Sequence, residues 1–175
     1  MFLRAAEGQA TAHEWPDVSD LSLAADTEWL TSIFHGKSSL GELSSDEFAA
    51  ALTARLAYPL QRRLDAEAPT HFVAPTGTHA AIDYEAEGGP KIAIRVQELF
   101  GLDRHPTIAG ERVPLLIELL SPAHRPVQKT RHLPGFWRGS YAAVRSEMRG
   151  RYPKHPWPDD PIAAPPTRRA KPRAG

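Results

Sequence analysis

Proline placement is the sequence feature that most restricts how this chain can fold. The sequence contains 17 prolines, which crowd toward the C-terminus. Residues 151–158 read RYPKHPWP, and no α-helix can run through that proline spacing, because proline lacks an N–H and clashes with the preceding turn. We therefore predict an extended segment that lies on the folded body, with Tyr152 and Trp157 as apolar anchors. Residues 163–175 are rich in Pro, Ala and Arg, and we predict that they are disordered.

The first part of the chain, residues 1–69, carries helical patterns. One helix is predicted by an apolar stripe at i, i+1, i+4 and i+5 that ends before Gly36, namely Trp29, Leu30, Ile33 and Phe34. Residues 44–47 (SSDE) match a capping box ahead of a second helix, and Pro59 suits the first turn of a third. Each helix is amphipathic, so it needs a partner surface: another helix, the next segment, or a preceding domain.

After Pro69 the pattern changes to short strands separated by Gly and Pro turns. We predict strands at 70–73, 79–84, 91–96, 112–120 and 125–131, with a helical turn that reaches Phe100 and stops at Gly101. Three strands, a helix and two strands is the order of an OB-type small barrel. The alternative is a curled antiparallel sheet that never closes.

A longer helix is predicted over residues 136–149, ending at Gly150. Its apolar stripe has clean helical spacing and consists of Trp137, Tyr141, Val144 and Met148. The fold class we predict is α+β. It comprises a helical segment over 1–69, an α+β domain with a small antiparallel, OB-like sheet and one long helix over 70–150, and an extended basic tail over 151–175.

Several classes of function lack the residues that they need. The chain has no cysteine, which removes disulfides and thiolate chemistry. Gly36-Lys37-Ser38 is no phosphate loop, because Thr31 stands where a glycine is required and a helix precedes it. His71 and His79 would make only half of a metal site. We predict no catalytic residue, no metal, no ATP binding or hydrolysis by this chain, no membrane span, and a cytoplasmic location.

Charge is unevenly distributed along the chain. From residue 125 onward there are twelve Lys/Arg and only three acids, so this part carries +9 and the preceding part −9. Basic residues alternate with aromatic ones there, as in single-strand nucleic-acid binders. The alternatives are that the two halves attract each other and that the aromatic side chains are buried. The predicted nucleic-acid-binding residues are Arg138, Arg145, Arg149, Arg151, Lys154, Arg168, Arg169 and Lys171.

Residues 69–173 also resemble a known family. The matching motifs are PTHF at 69–72, PTG at 75–77, QELFG at 97–101, LLSPA at 119–123, RPVQ at 125–128, FWRGSY at 136–141, MRGRYPKHPWPDDP at 148–161 and PTRRAK at 166–171. Together they resemble the C-terminal region of the HrpB family of bacterial DEAH-box RNA helicases. Residues 15–68 look like the segment that precedes this region.

The resemblance implies an accessory C-terminal domain of an ATP-dependent RNA helicase. ATP and Mg²⁺ would be bound by motor lobes, which have no counterpart in this sequence, so no motor residue can be assigned here. The implied partners are RNA or another nucleic acid and the motor domains of the full-length protein. Two hypotheses remain open: a nucleic-acid-binding module, and a docking module that packs on the motor without binding RNA.

Overall fold

The chain divides into two compact units, residues 1–68 and 69–175. The structure is a computed structural model that describes residues 15–31 and 33–170. Helices and small sheets are both present, which confirms the α+β class. The helical patterns predicted before residue 15 lie outside the described residues.

The first unit consists of short helices. They are α1 (Asp20–Ala25), α2 (Glu28–Thr31), a 3-10 turn (Leu40–Glu42), α3 (Ser45–Ala54) and α4 (Tyr58–Glu67). The predicted capping box is confirmed, because Ser44 Oγ accepts from the Glu47 N–H at 3.2 Å and Glu47 Oε2 accepts from the Ser44 N–H at 3.0 Å. Proline also occupies the first turn of α4 as predicted.

The predicted helix around Trp29 is shorter than its stripe. Helix α2 covers four residues, and the N–H groups of Ile33 and Phe34 both donate to the Leu30 carbonyl, each at 3.1 Å. This shared acceptor closes a turn that leads to Gly36, whose φ of +78° favours glycine. Trp29 packs edge-on against Phe48 of α3, with ring centroids 5.0 Å apart.

The described part of the second unit, residues 69–170, contains seven short strands. They are β1 (His71–Val73), β2 (His79–Ala81), β3 (Lys91–Arg95), β4 (Thr107–Ile108), β5 (Val113–Pro114), β6 (Leu116–Leu120) and β7 (Pro126–Thr130). β1 pairs with β2, β4 with β5, and β3, β6 and β7 form the central sheet in that order. A single bridge between Asp83 and Lys91 connects the β1–β2 hairpin to β3. Within residues 69–170 the strands form three small sheets, and no ladder joins β7 to β1.

Two features of the sheet differ from the prediction. β3 runs parallel to β6, with Ile92 opposite Ile117, so the central sheet is mixed rather than antiparallel. The strand predicted over 112–120 is divided: Val113–Pro114 pairs with β4, which was not predicted, and Leu116–Leu120 pairs with β3 and β7. Pro114 has no N–H to continue a ladder, so the chain changes partner there.

A 3-10 helix follows β3 and lies at the centre of the core. It spans Val96–Leu99, and Gly101 follows with φ +83°, so the helical turn and its stop are confirmed. All four of its residues are buried. The most deeply buried side chains of the described chain include Ile92, Val96, Leu99, Phe100, Leu115, Ile117, Leu119 and Leu133.

The long helix predicted over 136–149 is two helices, α5 (Leu133–Arg138) and α6 (Tyr141–Arg151). The chain leaves helical geometry at Gly139, where a Cβ atom would lie 3.0 Å from the Gly135 carbonyl oxygen. The second helix continues through Gly150, which was predicted to end it, to Arg151. The predicted stripe is nevertheless buried throughout: Trp137, Tyr141, Val144 and Met148 all face the core.

Candidate nucleic-acid interface

The predicted basic residues fall into two groups by their partners. Arg145 pairs with Asp159, and Arg151 pairs with Glu147 at 2.9 Å, so part of their charge is neutralised. The others are exposed and have no ion pair within the described part of the chain: Arg138, Arg149, Lys154, Arg168 and Arg169. Lys171 lies outside the described residues. The second group therefore supplies the cations that are available to an outside anion.

The aromatic residues that alternate with these cations are mostly buried. Phe136, Trp137 and Tyr141 pack around Phe100, with ring centroids 5.0 to 6.2 Å apart. Trp137 Nε1 donates to the Leu102 carbonyl at 2.9 Å. Bases cannot stack on rings that the core already covers, so for Phe136, Trp137 and Tyr141 the structure supports the alternative that these aromatic side chains are buried.

Hydrogen bonds from two aromatic side chains hold the segment after α6: one comes from α6 itself and one lies within the segment. The Tyr141 hydroxyl donates to the Pro158 carbonyl at 3.0 Å, and burial raises the Tyr141 pKa well above its usual range. Trp157 is buried, and its Nε1 donates to the Tyr152 carbonyl at 3.1 Å. Tyr152 itself is half-buried. Burial of Trp157 agrees with its predicted role as an anchor, but the segment is not extended throughout. Arg151 is the last residue of α6, and the His155 N–H donates to the Tyr152 carbonyl at 3.0 Å, which closes a turn over residues 152–155.

Residues 163–170 are packed on the core, which corrects the prediction of disorder over 163–175 for the part that is described. The Thr167 N–H donates to the Gln97 carbonyl at 3.0 Å, and the Gly101 N–H donates to the Pro161 carbonyl at 2.9 Å. At Gly101 a Cβ atom would meet the Ala164 carbonyl at 3.5 Å. The prolines and alanines of this segment form no core of their own. They lie instead over the core beside the 3-10 helix (Val96–Leu99) and Gly101.

Two hollows border the segment that follows α6. Pro153, His155 and Trp157 line a hollow with Arg149, of about 410 Å³, which we call the Arg149 cleft. Pro156 and Pro158 line the other, of about 310 Å³, whose further walls are Phe100, Ala164, Pro165, Thr167, Arg169 and Ala170. The first is polar and basic, and the second is mainly apolar.

The buried carboxylate of Glu98 pairs with Arg95, whose charge acts on His155. Glu98, with its side chain 4% exposed, accepts from Arg95 Nε at 2.8 Å, from Thr76 Oγ1 at 2.9 Å and from Thr78 Oγ1. Burial raises the pKa of this carboxyl, but the three hydrogen bonds outweigh burial and hold the pKa below its usual value. Glu98 is therefore ionised and balances the charge of Arg95.

His155 is the residue of this region that sequence reasoning missed. Burial lowers the pKa of its imidazole, and the nearby Arg95 charge lowers it further. The signal in the sequence was its place among prolines in the same segment as Trp157, which is predicted to lie on the folded body. Arg95, by contrast, comes near only through the tertiary fold.

Other kinds of site find no support in the described residues. Across residues 15–31 and 33–170 no three His, Cys, Asp or Glu side chains converge to hold a metal ion. His71 and His79 do face each other across the β1–β2 hairpin, with ring centroids 6.1 Å apart, but no third ligand joins them. No helix in that part of the chain has the length and apolar character needed to cross a membrane.

Comparisons with known proteins agree on one family. The family model described as "ATP-dependent helicase C-terminal" (HrpB_C) matches residues 29–161. The ATP-dependent RNA helicase HrpB of Escherichia coli K12 is 51% identical over 160 residues, which cover 91% of this chain and 20% of the relative. The chain thus spans about a fifth of the length of this curated relative.

Two solved structures are similar over most of the chain. The crystal structure of the E. coli DExH-box NTPase HrpB superposes with a TM-score of 0.83 at 48% identity, over 96% of this chain and 21% of that one. The crystal structure of the E. coli DEAH/RHA helicase HrpB gives a TM-score of 0.67 at 45% identity, over 89% and 20%. The chain belongs to the HrpB family of ATP-dependent helicases and corresponds to its C-terminal domain.

Proposed function

We propose that this chain contacts RNA beside the motor of an ATP-dependent helicase and contains no motor itself. The observation that carries the proposal is the group of five exposed cations without an ion pair in the described chain: Arg138, Arg149, Lys154, Arg168 and Arg169. They lie in the part of the sequence that carries +9. An unpaired surface cation can exchange its counterion for a phosphate without first breaking an ion pair, and such exchange drives nucleic-acid binding.

The mode of contact follows from what is buried. Since the rings around Phe100 are enclosed, little remains for base stacking, and phosphates are the natural targets. The predicted binding is therefore weak in sequence preference and strongly dependent on salt. ATP and Mg²⁺ belong, in this proposal, to motor domains of the full-length helicase, and those domains are its protein partners.

A docking role is the second candidate, and the first unit favours it. Leu21 and Tyr58 are 86% and 68% exposed on helices α1 and α4, so apolar side chains of the first unit are available for contact with another domain. The two roles make different demands on the basic residues. Docking through α1 and α4 does not require the cations near the C-terminus, whereas RNA contact does.

A salt titration of RNA binding separates the two roles. The affinity of the chain for a single-stranded RNA oligonucleotide is measured by fluorescence anisotropy over a range of salt concentrations. Each phosphate contact contributes about −0.7 to the slope of log K against log salt for single strands. Arg168→Gln/Arg169→Gln should therefore weaken binding and make the slope shallower by about 1.4.

The matched control removes two exposed cations from elsewhere. Arg62 of α4 and Arg104 also lack an ion pair within the described chain, so Arg62→Gln/Arg104→Gln makes the same change in net charge. This control should leave the slope nearly unchanged. Equal effects of the two double variants, or no RNA binding by the wild-type chain, would favour docking.

A further inference from the structure

We propose that the Arg149 cleft is a binding site for one backbone phosphate of the RNA, a proposal that rests on the proposed function. Arg149, Pro153, His155 and Trp157 line this hollow of about 410 Å³. That volume falls within the range of about 300–1,000 Å³ that is typical of ligand sites. The ligand class is a phosphate mono- or diester, which inorganic phosphate represents in the simplest test.

The backbone that forms the cleft is held by its own hydrogen bonds. The Tyr152 N–H donates to the Met148 carbonyl at 2.7 Å and ends helix α6. The Tyr152 carbonyl then accepts twice, from the His155 N–H at 3.0 Å and from Trp157 Nε1 at 3.1 Å. These bonds fix the turn between Arg149 and His155, so the two side chains need little reordering when an anion arrives.

The charges around the cleft favour an anion. Arg149 is exposed and has no ion pair in the described chain. Three acids of this region already have ion-pair partners: Glu98 pairs with Arg95, Glu147 with Arg151, and Asp159 with Arg145. Lys154 follows in the same turn and is also free of ion pairs there. An entering phosphate therefore meets the Arg149 guanidinium, whose planar fork matches two phosphate oxygens.

His155 gives the cleft its second nitrogen donor. Its ring stands edge-on to Tyr152, with ring centroids 6.4 Å apart, and is half-buried. Neutral imidazole can donate one N–H to a phosphate oxygen, and imidazolium can donate with full charge. Burial and Arg95 hold the His155 pKa below its ordinary value, and a bound phosphate would raise it again.

The test uses the 175-residue chain and two probes. Inorganic phosphate is titrated at constant ionic strength against a chloride control, while the His155 ring resonances are followed by NMR. RNA affinity is measured in parallel on Arg149→Ala and on the matched variant Arg104→Ala, which removes an exposed arginine that lies outside the cleft and has no ion pair within the described chain. A third variant, Arg149→Lys, keeps the positive charge but loses the planar guanidinium that can donate to two phosphate oxygens.

We expect phosphate to shift the His155 resonances in the wild type and not in Arg149→Ala. The RNA affinity of Arg149→Ala should fall about tenfold, as for loss of one charged hydrogen-bonded contact, with Arg149→Lys intermediate. Arg104→Ala should lose about twofold or less.

The inference is overturned if phosphate leaves the His155 resonances unmoved, or if the two alanine variants lose equal RNA affinity. If the chain still binds RNA in either case, the proposed function is kept, but the binding comes from diffuse positive charge rather than from a phosphate site in the cleft. A His155 response to phosphate in a chain that does not bind RNA would give the reverse: the anion site stands and the proposed function fails. Unchanged melting of Arg149→Ala establishes that the variant is folded.

Discussion

Removing the Trp137 side chain tests the packing that joins α5 and α6 to the rest of the core. Trp137 is 6% exposed, its ring lies 5.0 to 6.0 Å from the rings of Phe136, Tyr141 and Phe100, and Nε1 donates to the Leu102 carbonyl. Truncating a large buried aromatic to alanine costs about 3–5 kcal/mol. A domain of this size loses about 4 °C of Tm per kcal/mol, so Trp137→Ala should melt about 12–20 °C lower.

Trp137→Phe separates packing from the hydrogen bond. Phenylalanine keeps a ring in the cluster but cannot donate to the Leu102 carbonyl, so the variant should lose about 1–2 kcal/mol. Thermal and urea unfolding are followed by far-UV circular dichroism, which reports on helices and does not depend on tryptophan emission. Trp29→Ala is the comparison in the first unit, where the ring is only half-buried and the cost should be smaller.

Two results would refute this reasoning. A Trp137→Ala chain that melts like the wild type would mean that α5 does not pack on Phe100. An equal loss for Trp137→Ala and Trp137→Phe would assign the whole effect to the Nε1 hydrogen bond and none to the ring.

Three further predictions concern titration and the C-terminal segment. His105 accepts from the Leu133 N–H and donates to the Leu115 carbonyl. Because burial lowers the His105 pKa, the free energy of unfolding should fall as pH drops below about 6.5. His105→Gln should remove this pH dependence in urea unfolding. The stability that ionised Glu98 contributes should be complete above pH 4.5 and lost as pH falls through its lowered pKa; Glu98→Gln should flatten this acid limb. Deleting residues 163–175 should lower Tm by several degrees in differential scanning calorimetry, because the Thr167–Gln97 bond is lost; an unchanged Tm would contradict this.

Local patterns in the sequence predicted the local structure well. The capping box at Ser44, the proline at the start of α4 and the glycine stop at Gly101 each depend on residues within one turn. The buried stripe from Trp137 to Met148 was also readable, because helical spacing alone places its members on one side. The same stripe concealed the break at Gly139, since two short helices can continue one apolar face across an irregular residue.

The sequence showed where the basic residues lie, but not which of them have an ion-pair partner in the fold. Arg145 and Arg149 occupy neighbouring turns of α6, yet Arg145 has Asp159 as a partner and Arg149 has none in the described chain. Asp159 reaches Arg145 because the extended segment folds back along the helix. No sequence pattern specifies that return, because it depends on where Trp157 and Pro158 find apolar surface and a hydrogen-bond donor.

Sequence alone determined the α+β class, the family, the end of helical structure before Pro153 and the concentration of positive charge after residue 124. These properties follow from composition, from proline and glycine geometry, and from motifs that are read in order along the chain. Only the tertiary structure decided that β3 runs parallel to β6, that residues 163–170 cover the 3-10 helix, and that His155 and Arg149 share a cleft. Each of these depends on contacts between segments far apart in sequence, and such contacts are selected by burial of the whole core rather than by any local preference.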